Sequence, residues 1–128
     1  MHSASAPFRW AVLGPGSIAR RFATQLPSSL DGVLVAVGSS SLERARAFAE
    51  EFPLAEPALI GDYDQVLASD QVDAVYISTV HTGHAALAAR ALEAGKHVLC
   101  EKPLTPNSGT SMALIDLAAR SERVLLEA

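Results

Sequence analysis

The chain has 128 residues, 49% of them hydrophobic and 5% aromatic, with a formal net charge of −4 and a single cysteine, Cys100. That length buries the core of one domain, and the acidic balance leaves no basic stripe to neutralise a nucleic-acid backbone. One cysteine excludes an internal disulfide and suits a reducing compartment. The first seven residues hold no apolar signal core, and no apolar run approaches the roughly 18 residues of a membrane span. The expectation is a soluble, cytoplasmic protein.

Residues 10–13, Trp-Ala-Val-Leu, read as a strand that runs into Gly14-Pro15-Gly16-Ser17-Ile18-Ala19 and then a helix over 17–26. A strand, a Gly-x-Gly-x-x-Ala turn and a helix, in that order, are what a dinucleotide needs. Gly14 permits the tight turn, Gly16 lets the backbone approach a pyrophosphate, and small Ala19 lets helix and strand pack closely. The helix N-terminus offers unpaired N–H groups and partial positive charge to the phosphates. Glycine turns also join strands to helices for structural reasons alone, but this one opens an alternating chain, which favours the functional reading.

Residues 33–37 form a continuous apolar run, as expected of a strand buried on both faces. A helix over 42–52 follows, with Ala45, Phe48, Ala49 and Phe52 at helical spacing and Pro53 just beyond it. A short strand at 57–60 precedes a short helix over 62–68, with Asp62 or Asp64 as its N-cap. Residues 73–78 give a fourth strand, and 83–93 an alanine-rich helix stopped by Gly95. Residues 97–100 give a fifth strand, 108–121 a helix and 124–127 a sixth strand. Alternation of this kind predicts an α/β fold: a doubly wound parallel (Rossmann) sheet of about six strands in the order 3-2-1-4-5-6, with helices on both faces. Specificity for a reacting partner needs walls that a sheet does not supply. The expected organisation is therefore a dinucleotide-binding domain over residues 1–128, with the substrate domain absent.

Ligands of such a sheet lie at the carboxyl ends of the strands, near the switch between strands one and four. After the second strand, where an acidic residue would grip a ribose 2′-hydroxyl, stand Ser39, Ser40 and Ser41, with Arg44 in the next helical turn. Hydroxyls and a guanidinium suit a 2′-phosphate, which favours NADP over NAD. The structural alternative makes Ser41 a helix cap and Arg44 a solvated charge. After the fourth strand come Thr79, His81 and His84, bordering the nicotinamide and its ribose. For His84, packing or hydrogen bonding at the helix start is an equal alternative.

A zinc site from His81, His84, His97 and Cys100 fails on geometry. At about 3.3 Å per residue, His97 and Cys100 stand roughly 10 Å apart along one strand. His81 and His84 lie at the opposite end of the neighbouring strand from His97. No metal is expected. Cys100 reads as a small buried strand residue. Where the fifth strand emerges, proline restricts Lys102 to an extended or turn conformation. A lysine fixed there can aim its ammonium at a substrate hydroxyl, stabilising an alkoxide or moving a proton.

These segments together resemble the N-terminal domain of the Gfo/Idh/MocA oxidoreductases, most specifically through Ala94-Gly95-Lys96-His97-Val98-Leu99-Cys100-Glu101-Lys102-Pro103. Within that family the chain is most similar to dihydrodiol dehydrogenase-like and sugar dehydrogenase-like members. The resemblance implies NAD(P)-dependent oxidation of a secondary alcohol on a sugar, cyclitol or diol. Lys102 would be the catalytic lysine, with Glu101 and Pro103 shaping the nicotinamide pocket. Gly14, Gly16, Ser17, Ile18 and Ala19 would hold the pyrophosphate, and Ser39, Ser40 and Arg44 would surround the adenosine ribose. His81 stands where many members have asparagine, Val80 where many have proline, and Ser40 where NADP-using members often have arginine. The resemblance also implies a C-terminal α/β domain, missing here, that supplies substrate contacts, a partner acid/base and much of a homo-oligomer interface. The isolated chain is then expected to bind a dinucleotide and turn over little. It would also self-associate through apolar surface left beyond the carboxyl ends of the strands. The competing expectations are a stand-alone nucleotide-sensing module and a scaffold Rossmann unit without cofactor; the intact glycine loop argues against the second.

Overall fold

The computed structural model describes residues 7–28, 31–56, 58–79, 83–102 and 108–128. Its strands are β1 (Phe8–Leu13), β2 (Gly32–Gly38), β3 (Leu59–Gly61), β4 (Ala74–Ile77), β5 (His97–Cys100) and β6 (Leu125–Glu127). The helices are α1 (Ser17–Gln25), α2 (Leu42–Glu51), α3 (Tyr63–Ala68), α4 (His84–Glu93) and α5 (Ser108–Ser121), with a 3-10 turn at Leu26–Ser28. All strand pairs are parallel, and the order is β3-β2-β1-β4-β5-β6, as the alternating pattern implies. The boundary between β1 and β4 therefore marks the switch point, where loops leave the sheet in opposite directions.

The local signals act as their chemistry dictates. Asp62 caps α3 in a full capping box, accepting from the Gln65 N–H while the Gln65 side chain accepts from the Asp62 N–H. Ser41 caps α2, accepting from the Arg44 N–H at 3.2 Å. Gly95, at φ +84°, ends the turn after α4 in the left-handed region that favours glycine. The expected strand at 57–60 is displaced to Leu59–Gly61, and Pro57 lies outside the described residues. The pairing of β1 with β2 slips between Trp10 and Ala11, which places Leu34 and Ala36 opposite neighbouring residues of β1 and leaves Val35 as the extra residue. Val35 and Ala36 consequently pack into the same half of the core, which a strictly alternating strand would not allow.

Two apolar layers sandwich the sheet. Leu13, Val66, Ile77, Leu92, Val98 and Leu114 pack beneath α3, α4 and α5. Val12, Ala19, Val37, Ala45, Phe48 and Tyr76 pack beneath α1 and α2. The second layer is incomplete. Along one row of that face the register runs Val12, Tyr76, Leu99, Leu126. Val12 is 0% exposed, Tyr76 3% and Leu126 57%. Helices cover both faces, as expected, and the layer beneath α1 and α2 thins toward β6, where Leu126 is exposed. Leu126 lies uncovered on this face because α1 and α2 pack over the strands on the other side of β4.

At the amino edge of the sheet the strands are pinned by charge. Arg9 donates Nε at 3.0 Å and Nη2 at 2.9 Å to the two carboxylate oxygens of Asp73, which also accepts the Arg9 N–H at 2.8 Å. Lys96 is 6% exposed, and its ammonium donates to the Ser69 and Val72 carbonyls. Burial lowers its pKa, opposed by Asp73 and Asp70. The Arg9 side chain holds the Asp73 carboxyl below its usual value of 3.8. A depressed carboxylate stabilises the fold above its unfolded pKa of about 4 and loses that contribution as pH falls through the folded value. Asp73→Asn should therefore cost about 1–2 kcal/mol near neutrality. It should also flatten the loss of thermal stability below about pH 4, as followed by circular dichroism.

Candidate cofactor site

The carboxyl ends of β1, β2 and β4 are tied into one unit by their loops. The Gly14 N–H donates to the Gly38 carbonyl at 2.9 Å, and the Ser78 hydroxyl donates to the Gly14 carbonyl at 2.7 Å. Ser78 N–H reaches the Leu13 carbonyl at 3.0 Å, and Ser39 N–H the Gly61 carbonyl at 3.0 Å. Gly14 adopts φ +92°, and a Cβ there would lie 2.8 Å from both the Thr79 N and Cγ2 atoms. Only glycine fits, on conformation and on space.

Gly16 is different. It precedes α1 in extended conformation without a side-chain cap, and a Cβ built on it meets nothing within 4 Å. The space it would fill is open cleft at the N-terminus of α1, where the first N–H groups lack intrahelical partners. No acidic side chain occupies the first turn of that helix. A small, open residue here is what close approach of a pyrophosphate demands. The residues present fit a dinucleotide.

Two adjoining hollows share Pro15, Gly16 and Arg44. One, of about 260 Å³, runs from the glycine turn past Ser39, Ser40 and Tyr63 to Ser78 and Thr79. The other, of about 170 Å³, is closed by Ser17, Arg20, Ala47 and Phe48. The structure thus brings together Gly14, Gly16, Ser17, Ser39, Ser40, Arg44 and Thr79. Arg44 Nη2 lies 3.4 Å from the Ser40 hydroxyl, so the pair already faces one spot. Ser39 is 4% exposed, and its hydroxyl oxygen accepts the Ser41 N–H at 3.0 Å. It shapes the turn as much as it lines the cleft.

Three of the expected residues turn their side chains away from these two hollows. Ala19 is 0% exposed in the layer beneath α1, so it serves strand–helix packing and does not present its side chain to a phosphate. His84 is 2% exposed, and its Nε2–H donates to the Thr79 carbonyl at 2.8 Å. The hydrogen-bonding alternative describes it: a strut beneath the loop, not a wall of the cleft. Ile18, 51% exposed, turns toward a third hollow of about 260 Å³ between α1 and the end of β5, with Phe22, Tyr76, Leu99 and Glu101. His81, Val80 and Pro103 lie outside the described residues.

At the end of β5 the Glu101 N–H donates to the Ile77 carbonyl at 2.9 Å, and its carboxylate accepts from the Tyr76 hydroxyl. Lys102 follows on the surface. Cys100 is fully buried, and burial pushes its thiol up to about 12, which leaves no thiolate to act as a nucleophile. His97 sits at the other end of that strand, its Nδ1 accepting the Val124 N–H at 2.9 Å. Residues missed from the sequence are Tyr63, Arg20 and Tyr76. They depended on the turn of helices α1 and α3 and on strand register.

A parallel sheet in this order, a glycine turn without a Cβ and an open helix N-terminus define a dinucleotide-binding domain of Rossmann type. The chain belongs to the Gfo/Idh/MocA oxidoreductase family, NAD-binding Rossmann fold, whose profile matches residues 8–128. It is 43% identical over 120 residues to dTDP-3,4-didehydro-2,6-dideoxy-alpha-D-glucose 3-reductase of Streptomyces violaceoruber, covering 93% of this chain and 34% of that protein. It is 37% identical to trans-1,2-dihydrobenzene-1,2-diol dehydrogenase of Mus musculus, covering 92% of this chain and 35% of that one. A crystal structure of KijD10, a 3-ketoreductase from Actinomadura kijaniata in complex with TDP-benzene and NADP, matches with a TM-score of 0.88 and 36% identity, over 94% of this chain and 38% of that one. The chain spans about a third of the length of these relatives. No described helix is long and apolar enough to cross a membrane.

The two glycines separate fold from binding. Gly14→Ala should cost about 1–3 kcal/mol of stability through its backbone and its collision with Thr79. Gly16→Val should leave the melting temperature within a few degrees of wild type, yet weaken NADPH at least tenfold, about 1.4 kcal/mol. Calorimetry of the two variants checks both. Equal loss of fold and of affinity in both would contradict the assignment.

Proposed function

We propose that this chain is the cofactor-binding part of an oxidoreductase that moves a hydride between a nicotinamide and a secondary alcohol of a sugar, cyclitol or diol. The observation that carries the reading is the open cradle at Gly16, facing an uncapped α1 N-terminus at the switch point of the sheet. Bound there, the dinucleotide supplies a nicotinamide ring that accepts or returns hydride.

Gly14, Gly16, Ser17 and Ile18 hold the pyrophosphate end, with backbone N–H groups as donors. Ser39, Ser40 and Arg44 surround the adenosine ribose. The Ser40 hydroxyl and the Arg44 guanidinium, already adjacent, favour a 2′-phosphate and hence NADP over NAD. Thr79 borders the nicotinamide ribose, and Glu101 and Pro103 shape the ring's pocket. Lys102 is the catalytic residue. Its ammonium stabilises the oxygen of the alcohol as charge develops and exchanges the hydroxyl proton.

Relatives nearly three times as long support a second domain beyond this one, which supplies substrate walls and the partner acid/base. The bare sheet face around Leu99 and Leu126 is where such a domain, or another subunit of a homo-oligomer, would rest. A cytoplasmic location agrees with the single reduced cysteine.

Titration of the chain with NADPH and with NADH tests the reading. Micromolar binding, tighter for NADPH, is expected, and Ser40→Asp should reverse the preference by repelling the 2′-phosphate. Absence of binding to either would sink it. In the longer enzyme, Lys102→Ala should lower kcat by at least about a hundredfold with the cofactor Kd unchanged.

A further inference from the structure

Tyr76 lies in the middle of β4, 3% exposed, and would pass for an ordinary core residue. Its contacts are specific. The ring stacks flat on Phe22 of α1, with centroids 4.2 Å apart and planes 6° from parallel. Phe22 is in turn met edge-on by Trp10 at 5.2 Å. The ring therefore has one place to be, and that place points its hydroxyl at the Glu101 carboxylate. Burial, reinforced by the Glu101 bond and opposed by Arg21 of α1, pushes the phenol far above its ordinary value of 10. Tyr76 remains a neutral donor throughout the physiological range.

Glu101 is the immediate neighbour of exposed Lys102. A carboxylate beside an ammonium is drawn to it, and pairing both occupies the charge and slows attack of the amine on an electrophilic reagent. We propose that Tyr76 is a positioning residue: by holding the Glu101 carboxylate on the α1 side of the sheet, it keeps that carboxylate off the Lys102 ammonium. Lys102 is thereby left available to a substrate oxygen. The same helix α1 that offers its N-terminus to the pyrophosphate carries the Phe22 ring that fixes Tyr76, so one element sets both ends of the site. The inference rests on the reading of Lys102 as the catalytic lysine.

The chain has two lysines, Lys96 and Lys102. The rate of trinitrophenylation of each, resolved by peptide mass spectrometry, therefore reads Lys102 directly. Buried Lys96 serves as an internal control for unfolding. Tyr76→Phe keeps the stacked ring and frees the carboxylate, and should slow Lys102 labelling about threefold or more. In a Glu101→Gln background the same substitution should change nothing, because no charge is released. Unchanged labelling in Tyr76→Phe, or an equal change in both backgrounds, would overturn the proposal.

Should Tyr76→Phe expose Lys96 and so reveal unfolding, Tyr63→Phe leaves Tyr76 as the sole tyrosine for ultraviolet titration. Adding Glu101→Gln should then bring its ionisation down. No movement would dissolve the Tyr76–Glu101 pair and the proposal with it. A longer enzyme that kept full turnover as Lys102→Ala would defeat the catalytic reading of Lys102 without altering these labelling ratios.

Discussion

The backbone of Gly14 is the constraint on which the rest of the site depends. Its φ of +92° turns the chain from β1 into α1, and its N–H and carbonyl are claimed by Gly38 and Ser78. Thr79 occupies the space where a side chain would stand. Three strand ends are thereby fixed by one residue that has no side chain. Once they are fixed, the N-terminus of α1 must open into the gap between the loops after β2 and β4, which is where the two hollows lie. Parallel strand order makes the gap, and the glycine turn aims a helix dipole into it.

The two ends of the sheet do different work. At the amino edge, Arg9 with Asp73 and buried Lys96 with two carbonyls close the loops tightly. At the carboxyl edge, bonds from Gly14, Ser39 and Ser78 hold the loops, and the first N–H groups of α1 open into the cleft. The Tyr76–Glu101 bond is the point where an aromatic ladder through Trp10 and Phe22 reaches the site. Packing of the incomplete layer and chemistry at the end of β5 meet in that one contact.

Much of this was legible in the sequence because it is written in short-range signals. Alternating apolar runs and helical periods gave the six strands and five helices, and the spacing of Gly14 and Gly16 located the cleft. The capping residues Asp62 and Ser41 and the stop at Gly95 acted as their types predict. What stayed hidden depends on three-dimensional register. The slip opposite Trp10 and Ala11 redirects Val35, and no local preference announces it. The role of His84 turned on burial, because a histidine beside a phosphate-binding loop can face either way. Tyr76 meets Glu101, 25 residues on, only because β4 pairs with β5, and Leu126 joins the same row only because β5 pairs with β6.

Mapping amide shifts in the nitrogen–proton correlation spectrum during NADPH titration tests the central claim most directly. The account predicts saturable shifts along the carboxyl edge: the glycine turn from Gly14 to Ser17, Ser39 to Arg44, Thr79, and Glu101 with Lys102. Arg9, Asp73 and Lys96, at the far edge, should hold still. Shifts centred on that far edge or on the bare face around Leu126, or no saturable shifts, would contradict it.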